Sequence, residues 1–126
     1  MIILEEFRDM LDSIEEEIPE EFFRELNGGI LLMENEKIHP KSKGDELKIM
    51  GEYVRSHTMG RLIYIYYGSF KAVYRDASYE VLYKEVKHTL LHELTHHLES
   101  LAGYRDLEVE DEIGIHNYLK SKEEIQ

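Results

Sequence analysis

The sequence contains no cysteine, which limits both its cross-links and the kinds of metal site it can build. Disulfides and thiolate ligands are excluded, so a bound metal ion would have to be held by imidazole and carboxylate groups. The lack of cysteine also fits a reducing compartment. We therefore expect a cytoplasmic protein.

Basic side chains are scarce as well. Lysine and arginine number 15 against 27 aspartates and glutamates, which gives a formal net charge of −12 at pH 7. A phosphate backbone or an anionic membrane would be repelled by this charge rather than neutralised. We expect no nucleic-acid partner and no membrane partner, whereas a metal cation or a cationic substrate suits the chain.

Long apolar runs are missing too. No stretch approaches the roughly 20 residues that a transmembrane helix needs, and the chain becomes acidic directly after Leu4, unlike a signal peptide. A length of 126 residues with 42% hydrophobic composition suits one domain with one modest core. We predict a single domain over residues 1–126, of unknown oligomeric state.

What the chain does contain is His-Glu-Leu-Thr-His-His at residues 92–97, which includes an HExxH motif. On a helix, residues four apart lie one turn above each other, with roughly 5–6 Å between Cβ atoms, so His92 and His96 can bind one metal ion. Glu93 follows the first histidine, where a carboxylate can take a proton from a water at the ion and pass it to a leaving amine. The motif predicts a zinc-dependent hydrolase.

The residues around the motif predict the helix that it requires. Apolar residues recur at spacings of three and four: Leu82, Val86, Leu90, Leu94, Leu98 and Leu101. They predict one helix over residues 76–102, with His92 and His96 nearly opposite the apolar stripe at about 100° per residue. His97 should instead point toward the apolar side. His88 lies one turn before His92 and could replace His96 as a ligand, although a role beside the site is favoured.

Other patterns predict shorter elements on either side. A first amphipathic helix is marked by Leu4, Phe7, Leu11 and Ile14, and Pro19 separates it from a short helical piece at 20–26. Strands are predicted at 30–33, 47–54 and 61–67. A last helix is predicted at 107–119. Residues 34–45 are predicted to form a surface loop, and Gly68 to end the third strand. Residues 70–74 fit either a short strand or the start of the long helix.

A third metal ligand must come from an acidic residue. A catalytic zinc usually takes three protein ligands and keeps a fourth position for water, and no histidine follows at the spacing of HExxHxxGxxH. The candidates are Glu99, Asp106, Glu108, Glu110, Asp111 and Glu112. We expect Gly103 to end the long helix and Asp106 to cap the next one. Gly103 then lies about 10 Å beyond His96 along the helix axis, and the chain has to return by a similar distance. This return brings residues 110–112 level with the histidines. We favour Asp111, with Glu110 and Asp106 as alternatives.

With these residues, the chain resembles the small zincin-like metallopeptidases of bacteria, in which an acidic helix and a few strands precede a C-terminal HExxH helix. Residues 7–23 look like the opening helix of the family and its Pro-Glu-Glu-Phe continuation, and residues 61–70 are similar to its last strand and turn. His92, Glu93 and His96 match its zinc ligands and general base. Other members continue as HExxHxxGxxD, and Asp106 stands in the literal GxxD place here. Since Gly103 comes about one helical turn late, we still prefer Asp111.

The resemblance implies an α+β, zincin-like domain with a small, mainly antiparallel sheet packed on the HExxH helix and with N-terminal and C-terminal helices. It also implies zinc-dependent hydrolysis of a peptide or protein substrate. In this hypothesis His92, His96 and Asp111 hold the zinc, and Glu93 is the general base. Strand 61–67 could pair with an extended peptide if it lies at a sheet edge above the cleft. The alternative is a non-catalytic, metal-stabilised module that binds a protein or peptide.

Overall fold

The structure, a computed structural model, describes residues 1–44 and 46–103. Its elements in chain order are α1 (Leu4–Glu17), a 3-10 helix (Glu20–Phe23), β1 (Gly29–Met33), β2 (Lys37–Ile38), β3 (Lys48–Ile49), β4 (Gly51–Ser56), β5 (Gly60–Tyr66), α2 (Tyr67–Val73) and α3 (Tyr79–Ala102). The predicted α+β class is confirmed. The last helix predicted at 107–119 lies outside the described residues.

The main sheet has three strands in the order β1-β5-β4. β4 and β5 form an antiparallel hairpin, while β1 runs parallel to β5 on its other side. β2 and β3 pair separately and antiparallel. The described sheets are thus mainly antiparallel, as predicted. The condition that strand 61–67 lies at a sheet edge is wrong, because β5 is the central strand and β1 and β4 are the edge strands.

Two strand predictions also change in detail. β2 lies within the stretch 34–45 that was predicted to be a loop, and the strand predicted at 47–54 is divided into β3 and β4. The division has a physical reason, because β3 pairs with β2 while β4 pairs with β5. The chain changes partner at Met50, whose carbonyl accepts a hydrogen bond from the Tyr66 N–H at 2.9 Å.

The segment after β5 is a separate short helix rather than a strand or the start of α3. Gly68 lies inside this helix, α2, and does not end a strand. A Cβ at Gly68 would lie 2.5 Å from the backbone of both Asn35 and Glu36. Glycine is therefore needed here because helix and turn approach so closely. The long helix α3 begins after Ser78, whose side chain accepts a hydrogen bond from the Val81 N–H.

The core lies between α1, α3 and one face of the main sheet. Each residue of the predicted apolar stripe on α3 is at most 2% exposed, and Ile63 and Ile65 of β5 are fully buried. Phe7 of α1 packs edge-on against Tyr67, with ring centroids 5.2 Å apart. None of the helices in the described ranges is both long and apolar enough to cross a membrane. The burial of the stripe fixes which side of α3 faces outward.

Candidate metal centre and active site

His92 and His96 lie one turn apart on the outward side of α3, as the periodicity predicted, and both are exposed. Their Nε2 atoms are 3.1 Å apart, and the two rings meet edge to face. Two imidazole nitrogens bound to one tetrahedral zinc at about 2.0–2.1 Å would be about 3.3 Å apart. The spacing of the two nitrogens therefore fits zinc chelation with little movement of either ring.

The surroundings of His92 favour the neutral form that a metal ligand requires. Partial burial lowers the pKa of His92, and the neighbouring His96 and His88 lower it further. Glu99, one of the candidate ligands, lies 3.8 Å from the Nδ1 atom of His96. Because this atom is the ring nitrogen that does not face His92, Glu99 lies on the side of the His96 ring away from the Nε2 pair.

Glu93 lies between α3 and the edge strand β4, and it is only 7% exposed. Burial raises the pKa of its carboxyl group, whereas nearby His96 and a hydrogen bond from the Tyr53 backbone N–H lower it. A Cβ at Gly51 would lie 3.3 Å from Glu93 Cγ and 2.8 Å from Thr89 Cγ2. The glycine thus allows β4 to approach the helix at the point where Glu93 meets the strand.

An open cleft of about 750 Å³ runs along β4 beside Glu93, His96 and Glu99. A smaller depression of about 400 Å³ lies toward the other end of the helix, beside His88 and His92. Gly51 and Glu93 line both. Glu93 therefore lies beside two openings next to the edge strand β4, one that includes His96 and one that includes His92.

The third ligand remains a prediction. Asp111, Glu110 and Asp106 lie outside the described residues. Within residues 1–44 and 46–103, no group of three histidine, aspartate or glutamate side chains is placed to hold a metal ion. The described residues thus bring His92, Glu93 and His96 together on one part of α3.

His97 occupies the apolar side of α3, as predicted, and is fully buried. Its ring nitrogens contact the Tyr53 hydroxyl and the Arg24 carbonyl. Sequence reasoning missed Gly51 and Tyr53 as parts of the site, although one signal was present. A glycine inside a predicted strand often marks the close approach of another element, and residue 53 shares a strand face with residue 51.

Known proteins similar to this chain point to one family. A family model described as zincin-like metallopeptidase matches residues 32–114, which include the HExxH helix. In a solved structure, a conserved hypothetical protein from Thermus thermophilus is 37% identical to this chain, with a TM-score of 0.69; the similarity covers 81% of this chain and 99% of that one. No curated protein matches the sequence. Because the family match spans well over half of the residues and the fold agrees, this chain belongs to the zincin-like metallopeptidase family.

Proposed function

We propose that this protein is a zinc-dependent peptidase in which His92, His96 and Asp111 hold the ion and Glu93 is the general base. The observation that carries the proposal is the meeting of the two Nε2 atoms, 3.1 Å apart, next to the buried Glu93 in an open groove. A zinc ion bound there would polarise the scissile carbonyl and lower the pKa of a water to about 7.

The location of Glu93 beside the histidine pair and its raised pKa both suit a group that transfers protons during peptide hydrolysis. Its carboxylate neighbours the histidine pair without being one of the proposed ligands, so it remains available to accept a proton from the attacking water. The same group can then donate that proton to the leaving amine. Burial raises the pKa of Glu93, which brings it closer to neutral pH, where one group serves well as both base and acid.

The edge strand β4 takes the substrate-pairing role that the sequence had suggested for strand 61–67. The Met50 carbonyl bonds to β5, so the alternation of an antiparallel pair turns the backbone groups of Gly51, Tyr53 and Arg55 away from β5. The Tyr53 N–H already donates to Glu93, so an extended peptide would add to β4 through the other backbone groups on this side and pass Glu93. Hydrogen bonds to the peptide main chain would hold the substrate largely independently of its side chains.

The proposal predicts metal-dependent cleavage. Purified protein loaded with one equivalent of zinc is incubated with a mixed peptide library, and new termini are identified by mass spectrometry. We expect cleavage that a chelator abolishes and that added zinc restores. Zinc binding without any cleavage would contradict the peptidase proposal and favour a metal-stabilised binding module. Cleavage that persists after complete zinc removal would also contradict it.

A comparison of two variants tests which residue is the third ligand. We expect Asp111→Ala to weaken zinc binding by roughly 10-fold or more and Asp106→Ala to have a smaller effect, because the returning chain brings residue 111 level with His96. Competition with a chromogenic chelator measures both affinities. The opposite order would assign the ligand to the literal GxxD position, and two equally small effects would point to Glu110 or to water as the third ligand.

A further inference from the structure

His97 directly follows the second histidine of the motif, but its side chain points to the opposite side of α3 and is fully buried. The Nε2 atom lies 2.7 Å from the Arg24 carbonyl oxygen, and the Nδ1 atom lies 3.0 Å from the Tyr53 hydroxyl. Since a carbonyl can only accept a hydrogen bond, Nε2 must carry the proton. In the neutral ring Nδ1 then accepts a hydrogen bond from the Tyr53 hydroxyl, and both ring nitrogens of His97 have a defined role.

Tyr53 connects this histidine to the cleft. Its ring packs against the imidazole of His97, with centroids 5.4 Å apart, and its hydroxyl donates to that imidazole. Its backbone N–H donates to the carboxylate of Glu93. One residue of β4 is thus attached to α3 through its side chain at residue 97 and through its main chain at residue 93, one helical turn earlier.

We propose that His97 and Tyr53 are positioning residues for Glu93. His97 holds the side chain of Tyr53 and thereby sets how β4 sits on α3. The backbone N–H of Tyr53 is then held where it fixes one orientation of the Glu93 carboxylate. A catalytic group that its neighbours hold in the productive orientation reacts faster than one that samples several orientations. The inference rests on the proposed role of Glu93 as general base.

The competing explanation is that His97 only joins α3 to the segment after the 3-10 helix. The two hydrogen bonds of His97 allow the explanations to be separated, because one leads to the Arg24 carbonyl and the other to Tyr53. Tyr53→Phe removes only the hydroxyl on the cleft side and keeps the aromatic ring. Tyr64→Phe is the matched control, since Tyr64 pairs with Glu52 on the opposite face of the sheet.

The test uses the full-length, zinc-loaded protein and measures kcat, KM, zinc content and unfolding midpoint for each variant. The best substrate from the peptide library serves as the probe. We expect Tyr53→Phe to lower kcat about 10-fold with little change in KM and to retain zinc, with a modest fall in the unfolding midpoint because the buried Nδ1 atom of His97 loses its donor. Tyr64→Phe should leave kcat unchanged. His97→Gln, which keeps an amide donor and acceptor, should retain more activity than His97→Leu. An unchanged kcat in Tyr53→Phe, or an equal loss in Tyr64→Phe, would overturn the inference.

A second measurement tests the positioning role of Tyr53 even if no substrate is cleaved. The backbone amide proton of residue 53 is observed by NMR in the wild type, in Glu93→Gln and in Tyr53→Phe. We expect it to resonate downfield in the wild type because it is bonded to a carboxylate, and to move upfield in both variants. An inactive wild type with these shifts would contradict the peptidase proposal and support the positioning role. A residue 53 signal that does not move in Tyr53→Phe would overturn the positioning role, whatever the activity.

Discussion

Replacing both His92 and His96 with alanine is expected to reduce zinc binding from about one ion per chain to essentially none, because these residues supply two of the three expected protein ligands. The fold should survive the change, since both side chains are exposed and point away from the core. Elemental analysis after dialysis measures the zinc content, and circular dichroism of the metal-free proteins checks the helix content.

His88→Ala is the matched control for this pair. His88 is exposed on the same helix, one turn before His92, and its loss should leave zinc content unchanged. Loss of zinc in His88→Ala together with retention in His96→Ala would assign the ligand pair to His88 and His92. Full zinc content in the His92→Ala/His96→Ala double variant would place the metal site elsewhere in the chain.

The helical parts of the fold could be predicted because their signals are local. The apolar spacing from Leu82 to Leu101 determines which side of α3 is buried, and this alone places His92 and His96 outward and His97 inward. α1 follows in the same way from the apolar spacing that begins at Leu4, and Pro19 separates it from the 3-10 helix that follows. In each case, residues within one or two turns carry the whole pattern.

The sheet could be predicted only in part because strand order depends on distant partners. The aromatic strand 61–67 was identified, but its composition does not distinguish a central strand from an edge strand, and both neighbours are needed to place β5. Gly68 shows a similar limit. A glycine after a strand is typical of a turn, whereas here it allows α2 to contact the backbone at residues 35–36.

Only the part of the candidate site that depends on local helix geometry could be predicted from the sequence. His92, Glu93 and His96 lie within five consecutive residues, so helix geometry relates them without any tertiary contact. Tyr53 lies 44 residues before His97 in the chain, and their hydrogen bond exists only because β4 packs on α3. Gly51 has no side chain, and this allows β4 to approach α3. Contacts of this kind between distant residues are hard to predict from a single sequence.

Replacing Glu93 with glutamine is expected to lower the rate of peptide cleavage by roughly 10²–10⁴ and to leave zinc binding nearly intact. Glutamine has almost the same shape as glutamate and can still accept the hydrogen bond of the Tyr53 N–H, but it cannot take a proton from water at neutral pH. The comparison is made on zinc-loaded wild type and variant with the same library peptide, and zinc content is measured on the same samples.

Glu99→Gln is the control for this substitution because Glu99 lines the same cleft and lies near His96, but is exposed and has no proposed part in proton transfer. A small change in Glu99→Gln beside a large loss in Glu93→Gln would assign the proton transfers to position 93 rather than to the general negative charge of the groove. Cleavage at the wild-type rate in Glu93→Gln would remove this residue from the mechanism. If Glu93→Gln lost zinc along with activity, Glu93 would instead be a metal ligand, and the general base would have to be found among the other carboxylates.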